Sequence, residues 1–282
     1  MLDVIIDGLL DTLKVIPFLF AAFLLLEYIE HKYSAKTHRI IKKAGRLGPV
    51  IGSALGAFPQ CGFSAMASNL YATRIITLGT LIAVYLSTSD EMLLIMLSRP
   101  DTIGKGLIIV LIKVIIGIIA GFVIDLIMHL RNREDDENIK DFCEMEHCHC
   151  EHGIFRSAIK HTLKIALFIL IVNLVLGIAI HYLGEDNFSK IMLKDTLFAP
   201  FVASLVGLIP NCAASVAITE LYISGAISFG SVLSGLLTSC GVGVLILFRV
   251  NRPMKQNVAI LAVLYLIGAF SGLIVDLIGI AI

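Results

Sequence analysis

Charged side chains are scarce in this sequence, and the positive and negative ones balance. Of the 282 residues, 16% are Asp, Glu, Lys or Arg, and the formal net charge at pH 7 is zero. This balance gives no broad basic surface of the kind that binds nucleic acid. The six cysteines do not follow the pattern of a disulfide-rich secreted domain. The sequence also lacks a G-x-x-x-x-G-K-[ST] nucleotide-binding loop, so we expect no ATP-driven pump.

Apolar side chains, by contrast, make up 57% of the chain, and the mean hydropathy is +0.92. A membrane-spanning helix needs about 20 mostly apolar residues. Runs near that length lie at roughly 8–30, 107–130, 160–182 and 258–282. The sequence therefore predicts an integral membrane protein. The first run has only Lys14 as a base and lacks the cationic start of a cleavable signal peptide, so we expect a permanent helix.

A sequence repeat divides the chain into two halves. The stretch FPQCGFSAMASNLY at 58–71 returns as IPNCAASVAITELY at 209–222, and further matches follow at the same offset of 151 residues. Such self-similarity indicates duplication, and duplicated halves are typical of transporters whose substrate site lies between the repeats. We expect a first transmembrane repeat at 1–130, a cytoplasmic Cys/His-rich loop at 131–157 and a second transmembrane repeat at 158–282.

Loop charges predict that the two halves have opposite orientations in the membrane. The connection at 31–46 carries six Lys or Arg residues and no acid, whereas its counterpart at 182–197 has more acids than bases. By the positive-inside rule the first is cytoplasmic and the second external. Inversion requires an odd number of crossings in each half. We therefore expect a multi-pass protein of the cell membrane with both termini external and the loop between the halves in the cytoplasm.

The repeated motif of proline, an amide side chain and cysteine predicts a helix break within the membrane. We expect a half-helix at 47–58, a break at Pro59-Gln60-Cys61 and a return through 62–72, with a matching break at Pro210-Asn211-Cys212. Proline costs about 3 kcal/mol inside a helix but is tolerated where a helix ends. Irregular backbone at membrane depth must line protein or a wet cavity. The alternative is a proline-kinked spanning helix with a core cysteine. The candidate substrate ligands at the two breaks are Gln60, Cys61, Ser64, Asn211, Cys212 and Ser215.

A second polar cluster interrupts the next helix of each half. STSDE at 87–91 is matched by TSCGV at 238–242, which keeps hydroxyl groups but replaces both acids. A carboxylate at the bilayer centre costs about 2.5–3.5 kcal/mol on insertion scales and is functional by default. We therefore predict proton or ion coupling at Asp90, Glu91 and, as a further candidate, Glu220. The alternative is an interfacial position or, for the first two, pairing with a base such as Lys113. The two clusters add these candidate substrate ligands: Thr88, Ser89, Thr238, Ser239 and Cys240.

Two matched glycine pairs predict close helix packing. GIIAG at 117–121 and GAFSG at 268–272 have the Gly-xxx-Gly spacing that lets two backbones approach each other. We assign these glycines a packing role only. Asp125 and Asp276 follow near the ends of the same segments, where solvation at the membrane interface is expected.

The polar loop between the halves is a candidate metal-binding segment. Its sequence DFCEMEHCHCEH at 141–152 combines thiol and imidazole groups, which suit zinc or copper(I). The spacing matches no structural zinc fold, and the preceding RNREDDEN is typical of a solvated linker. A flexible capture or sensing loop is predicted, and the alternative is a connection whose Cys and His residues are incidental. The predicted metal ligands are Cys143, His147, Cys148, His149, Cys150 and His152.

The stretch FPQCGFSAMASNLYATRIITLGTLIAVYLSTSDEMLLIMLS at 58–98, with its degenerate copy in the second half, resembles the ten-TM heavy-metal exporters. Members of that family are also labelled arsenic efflux proteins or manganese transporters, and the ArsP-type permeases are distantly similar. The resemblance covers nearly the whole chain. It implies an all-α integral membrane protein, which we expect to contain two inverted-topology repeats of about five hydrophobic segments each. Thiol-using permeases imply Cys61 and Cys212 as arsenic ligands by position.

Two classes of function remain open. The first is a secondary-active exporter of arsenite, an organoarsenical or a divalent metal such as manganese, coupled to protons. Thiols favour arsenic(III), while carboxylate and amide oxygens suit manganese. The second is a membrane thiol-redox enzyme or metal sensor that uses Cys61, Cys212 and Cys240. Inverted duplication and broken helices favour the transporter over the enzyme. We expect no tightly bound cofactor and no nucleic-acid partner; the expected partners are the lipid bilayer, the ion and, as an alternative to a monomer, a second copy.

Overall fold

The computed structural model describes residues 47–59, 62–130, 198–251 and 253–279, together with single helical positions between 9 and 24 and between 159 and 174. At Asp90, Glu91 and Cys212 it describes the backbone but not the side chain. Throughout this described part the regular secondary structure is helical, which confirms the predicted all-α class.

Ten helices of the described ranges fall into two sets of five. In the first half they are α1 (Gly48–Gly56), α2 (Gly62–Ala72), α3 (Leu78–Ser87), α4 (Asp90–Leu97) and α5 (Ile103–Leu130). In the second half they are α6 (Ala199–Gly207), α7 (Cys212–Ile223), α8 (Phe229–Thr238), α9 (Gly243–Val250) and α10 (Met254–Ile278). The first, third and fifth helices of the two sets begin at equivalent positions of the sequence repeat, so the duplication seen in the sequence is also a duplication of structure.

Local sequence signals explain where several of these helices begin. Both α1 and α6 carry a proline in the first turn, where a missing backbone N–H costs nothing. Helix α3 starts at the N-cap Thr77, whose hydroxyl accepts the Thr80 N–H at 3.1 Å. Ser228 does the same for Ser231 at the start of α8, also at 3.1 Å. Hydroxyl N-caps of this kind stabilise a helix start by about 1 kcal/mol.

Within each half, one central helix is packed between two others. Helix α3 lies against α1 and α5, and α8 lies against α6 and α10. The glycines of the predicted pairs make these contacts: a methyl group at Gly79 would collide with the Gly121 carbonyl, and one at Gly230 with the Gly272 carbonyl. The two backbones therefore touch directly, as the Gly-xxx-Gly spacing predicts.

A carboxylate fastens each of these helix pairs at one end. Asp125 Oδ1 accepts the Gly79 N–H at 2.8 Å, and its Oδ2 accepts the Thr77 hydroxyl at 2.8 Å. Asp276 makes the same two bonds, to Gly230 and Ser228, at the same distances. Besides lying near the ends of their helices, the two aspartates therefore anchor the N-terminus of the neighbouring helix.

Four stretches of the described residues are long and apolar enough to cross a membrane: Leu78–Leu97, Ile103–Leu130, Phe229–Val250 and Met254–Ile278. The first and third consist of two helices each, α3 with α4 and α8 with α9. These interrupted spans are mostly buried, whereas α5 and α10 present many exposed leucine and isoleucine side chains. The interior of the fold is therefore built around the two broken helices, which also contact each other.

The two halves interlock by exchanging their second and fourth helices. Helix α2 of the first half packs on α9 of the second, and α7 of the second packs on α4 of the first. Each short helix that follows a Pro-amide-Cys motif thus lies on the segment that follows the helix break of the opposite half.

Candidate functional site

The first predicted break lies between α1 and α2, and it is close to the break of the next helix. Gly56, the last residue of α1, has no room for a side chain because Ser87 and the Val84 carbonyl lie against it. The second half repeats this contact, with Gly207 at the end of α6 against Thr238 and the Gly235 carbonyl. In each half the two polar motifs predicted from the sequence are therefore brought together. Gln60 and Cys61 lie outside the described residues.

Hydroxyl groups of the first helix break bond mainly to nearby backbone. Thr88 Oγ1 donates to the Val84 carbonyl at 2.8 Å, and Ser89 Oγ donates to the Ser87 carbonyl at 3.1 Å. Both side chains are buried. Such local bonds compete with helical bonding and favour the interruption. Asp90 and Glu91 are the predicted coupling residues, and their side chains lie outside the described part. The backbone shows that Asp90 is the first residue of α4.

A buried lysine also reaches the first break. Lys113, on α5, is only 1% exposed, and its Nζ donates to the carbonyl oxygen of Thr88. Thr88 is the C-cap of α3, so this carbonyl belongs to the helix end that carries partial negative charge. The equivalent position of the second half is Leu264, which is fully buried. The first break therefore has a buried amine donor that α10 does not supply to the second.

The second break contains an unsatisfied hydroxyl group. Ser239 is 3% exposed, and among the described residues its Oγ has no hydrogen-bond partner. Its neighbours are engaged: Thr238 Oγ1 donates to the Ser204 carbonyl at 2.8 Å, and Cys240 Sγ donates to the Thr238 carbonyl at 3.2 Å. Leaving a buried polar atom unpaired costs about 1–3 kcal/mol, so Ser239 requires an explanation.

Residues of the first half contact the second break directly. A methyl carbon on Gly243, the first residue of α9, would lie 2.7 Å from Ser64 Cβ. The Gly243 carbonyl is 2.7 Å from Ser68 Oγ and 3.2 Å from Tyr85 Oη, and these two hydroxyls are 2.7 Å apart. Ser68 Oγ is also 2.7 Å from the Ser64 carbonyl, so two hydroxyl protons serve two carbonyl oxygens. The predicted ligands Ser64 and Cys240 thus belong to one region.

The second Pro-amide-Cys motif forms a helix start. Asn211 is the N-cap of α7, and its Oδ1 accepts the Ala213 N–H at 2.9 Å. Ser215 is buried one turn later, and its carbonyl accepts the Thr219 hydroxyl at 2.7 Å. Cys61 and the Cys212 side chain lie outside the described part, so their assignment as substrate ligands stays a prediction.

Glu220 forms an ion pair between the halves. Arg99 Nη2 lies 3.0 Å from Glu220 Oε1 and 3.1 Å from Oε2, and the two side chains are 43% and 45% exposed. Lys105 lies 5.9 Å from the ring centre of Tyr222 on the same helix, α7. The ion pair therefore gives Glu220 a structural role where α7 meets the first half. In sequence, Glu220 is well separated from the break between α3 and α4 and from the break between α8 and α9.

The predicted metal ligands at Cys143, His147, Cys148, His149, Cys150 and His152 all lie outside the described residues. Within the part of the chain that the structure describes, no group of three or more His, Cys, Asp or Glu side chains could hold a metal ion. A metal site in the loop is therefore left as a prediction.

Two residues near the candidate site, Tyr85 and Asn69, were not predicted as part of it, and Lys113 was named only as an alternative partner for the two acids. Tyr85 and Lys113 each face a helix break, and Asn69, next to Ser68 on α2, is fully buried with no described partner for its Oδ1. A comparison of the halves gives a signal for the first two, because their equivalents are the apolar residues Leu236 and Leu264. A polar side chain at only one of two duplicated interior positions indicates a requirement specific to that half.

The all-helical described part, with four stretches long and apolar enough to cross a membrane, indicates a multi-pass membrane protein. A family model described as "Putative, 10TM heavy-metal exporter" matches residues 1–184 and 163–281. The chain belongs to this family, as its sequence resemblance predicts, and the family's name indicates a heavy-metal exporter rather than an enzyme. No curated protein and no solved structure matches the chain.

Proposed function

We propose that the protein is a secondary-active exporter that moves a metal or metalloid ion through the region where the two helix breaks approach the opposite half. The observation that carries this proposal is the exchange of helices, with α2 on α9 and α7 on α4. It brings the short helix after each Pro-amide-Cys motif to the post-break segment of the other half. In transporters with duplicated halves, substrate sites lie at the repeat interface and are built from discontinuous helices.

The proposed route combines hydroxyl, thiol and amide groups from both halves. Ser64 of the first half lies in close contact with Gly243, which is near Cys240 in the chain, and this contact supports a first-half contribution to the route. Unpaired Ser239 Oγ supports it for the second, since a bound ion or its water could supply the missing partner. Gln60, Cys61 and Cys212 are proposed as further ligands. Such mixed donors suit a thiophilic or borderline ion, and arsenite, organoarsenicals and divalent metals such as manganese are the candidates.

Inverted topology of the two halves forms part of the proposal. The pseudo-equivalent packing of α1–α5 and α6–α10 supports two copies of one unit, and the loop charges support opposite orientations. In this arrangement α1 with α2, and α6 with α7, are re-entrant hairpins that enter from opposite faces. Both termini are then external, and the loop at 131–157 is cytoplasmic in the cell membrane.

Proton coupling is assigned to Asp90, with Glu91 as its neighbour. Both follow directly on the first break, and the second half has Gly241 and Val242 instead. A carboxylate on one half only can exchange a proton for the exported ion as the site changes its accessible face. The Cys/His loop is proposed as a flexible capture segment on the side from which the ion is taken.

Flux through the purified protein tests the proposal. Proteoliposomes should move at least one ion of a panel containing manganese, cadmium and arsenite, and the ion movement should be accompanied by proton movement in the opposite direction. A membrane thiol enzyme or a metal sensor would move none of these ions. Absence of flux for the whole panel in correctly folded protein would therefore reject the exporter.

A further inference from the structure

Lys113 places its side-chain nitrogen at the carbonyl end of the first half of the first broken helix. It is 1% exposed, and its Nζ donates to the Thr88 carbonyl, the C-cap carbonyl of α3. The last carbonyl groups of a helix lack intrahelical partners and carry partial negative charge, so they attract cations. In transporters with broken helices, carbonyl groups of this kind coordinate the coupling or substrate ion.

Two of the helices that pack against α5 carry titratable side chains. Helices α1, α3, α4 and α8 pack against α5, and in the sequences of α1 and α8 there is no titratable side chain. Helix α3 contributes Tyr85, and α4 begins with Asp90 and Glu91. Lys113 therefore lies where the acidic motif of the first half begins. In the second half the equivalent residue is the buried Leu264, and the motif at 238–242 has no acid.

We propose that the Lys113 ammonium is a tethered cation that occupies the carbonyl end of α3 when no ion is bound, and that the exported ion is a divalent metal cation that displaces it. This inference rests on the proposed function and specifies its substrate class. An ion-free carrier must return across its conformational cycle with the carbonyl end of α3 buried. The tethered ammonium neutralises that end during the return, and a metal ion neutralises it during export. A neutral arsenic hydroxide would not compete with the ammonium.

Two modes of transport distinguish the tethered-cation role of Lys113 from a purely structural role. With manganese on both sides of a proteoliposome membrane, exchange proceeds without an ion-free return step, whereas net efflux requires that step. Lys113→Met removes the charge and keeps an unbranched chain, and Lys113→Arg keeps a cation. We expect Lys113→Met to lower net manganese efflux by about tenfold or more, while manganese exchange stays within about twofold of wild type. Each tenfold decrease in net efflux corresponds to about 1.4 kcal/mol. Lys113→Arg should retain net efflux.

Equal loss of both modes in folded Lys113→Met, or no loss in either, would overturn the tethered-cation role. Transport of arsenite but not manganese by the wild type would overturn the substrate class and leave the exporter proposal standing. Transport of no ion at all would reject the exporter itself.

A second measurement uses the wild-type protein and does not depend on the folding of a variant. Reductive methylation with formaldehyde and cyanoborohydride, read by mass spectrometry at Lys113, reports how accessible this amine is. Manganese should increase the methylation of Lys113 several-fold, with no such change at the cytoplasmic-loop lysine Lys36, because the displaced ammonium leaves its carbonyl. An unchanged or decreased yield at Lys113 would contradict displacement.

Discussion

Ser64 lies directly against the backbone of Gly243, so that the first residues after one Pro-amide-Cys motif touch the first residue after the opposite helix break. Two hydroxyl groups, Ser68 and Tyr85, reinforce this contact by reaching the Gly243 carbonyl. Because the contact joins the two halves next to the proposed ion route, its geometry should affect both stability and transport.

Gly243→Ala tests this contact. The added methyl group would lie 2.7 Å from Ser64 Cβ and 2.8 Å from Ser64 Oγ, so α2 and α9 would have to separate. Overpacking of this kind costs about 1–3 kcal/mol, and we expect a lower thermal unfolding midpoint in detergent together with reduced flux. Gly104→Ala on α5 is the matched control, because nothing lies within 4 Å of its new methyl group. Equal midpoints and fluxes for the two variants would argue against a tight contact.

The aspartate anchors should make equal contributions in the two halves. Asp125→Ala and Asp276→Ala each remove two 2.8 Å hydrogen bonds, one of them from a backbone N–H at a helix start. Hydrogen bonds to a charged group contribute about 1.5–3 kcal/mol, so both variants should unfold at clearly lower denaturant or temperature. Asparagine keeps an acceptor for the N–H, and Asp125→Asn should therefore lose less stability than Asp125→Ala. Wild-type stability of both alanine variants would show that these bonds do not hold the helix pairs together.

A comparison of the helix breaks with these aspartate anchors shows which features a single sequence could predict and which it could not. A helix break depends on local chemistry, such as Pro59 followed by the amide of Gln60 and, three positions after the proline, by Gly62. This pattern alone predicted the break between α1 and α2. The bonds from Asp125 to Gly79 join residues 46 positions apart. They exist only because the glycines bring α3 and α5 into contact, and an aspartate near a helix end gives no local sign of this.

The position of the Lys113 side chain illustrates a second limit of prediction from the sequence. A lysine in an apolar run can reach the interface or point inwards, and the choice depends on which helices pack around it. Only the packing of α5 on α3 directs its ammonium to the Thr88 carbonyl. By comparison, Ser64 and Cys240 could be predicted as site candidates because the repeat presents polar residues at interior positions of both halves.

Accessibility of single cysteines tests the inverted topology. In a cysteine-free background, Lys36→Cys should resist an impermeant thiol reagent added to intact cells, because the basic loop at 31–46 is placed in the cytoplasm. Asn187→Cys in the counterpart loop should react. Both positions should label after the membrane is permeabilised, which controls for thiol reactivity. Equal labelling of the two sites in intact cells would contradict opposite orientations.

Deletion of residues 141–152 tests the capture role of the Cys/His-rich loop. A segment that only raises the local ion concentration affects the response at low ion concentration, whereas a segment of the route affects transport at every concentration. We expect the deletion to raise the concentration for half-maximal flux and to leave maximal flux close to wild type. Replacement of the same residues by a Gly/Ser linker of equal length controls for loop length. Complete loss of flux in folded protein would instead place the loop in the permeation route.

The most direct test of the exporter is ion flux in proteoliposomes containing the wild type, Cys61→Ser, Cys212→Ser or Asp90→Asn, measured with manganese, cadmium and arsenite and with an internal pH indicator. We expect the wild type to transport at least one of these ions, with protons moving in the opposite direction. Each serine variant should transport a thiophilic ion such as cadmium more slowly. Asp90→Asn should still bind the ion but lose proton-coupled flux. Wild-type flux in all three variants would contradict the proposed site residues. No flux of any ion in the wild type would contradict the exporter itself.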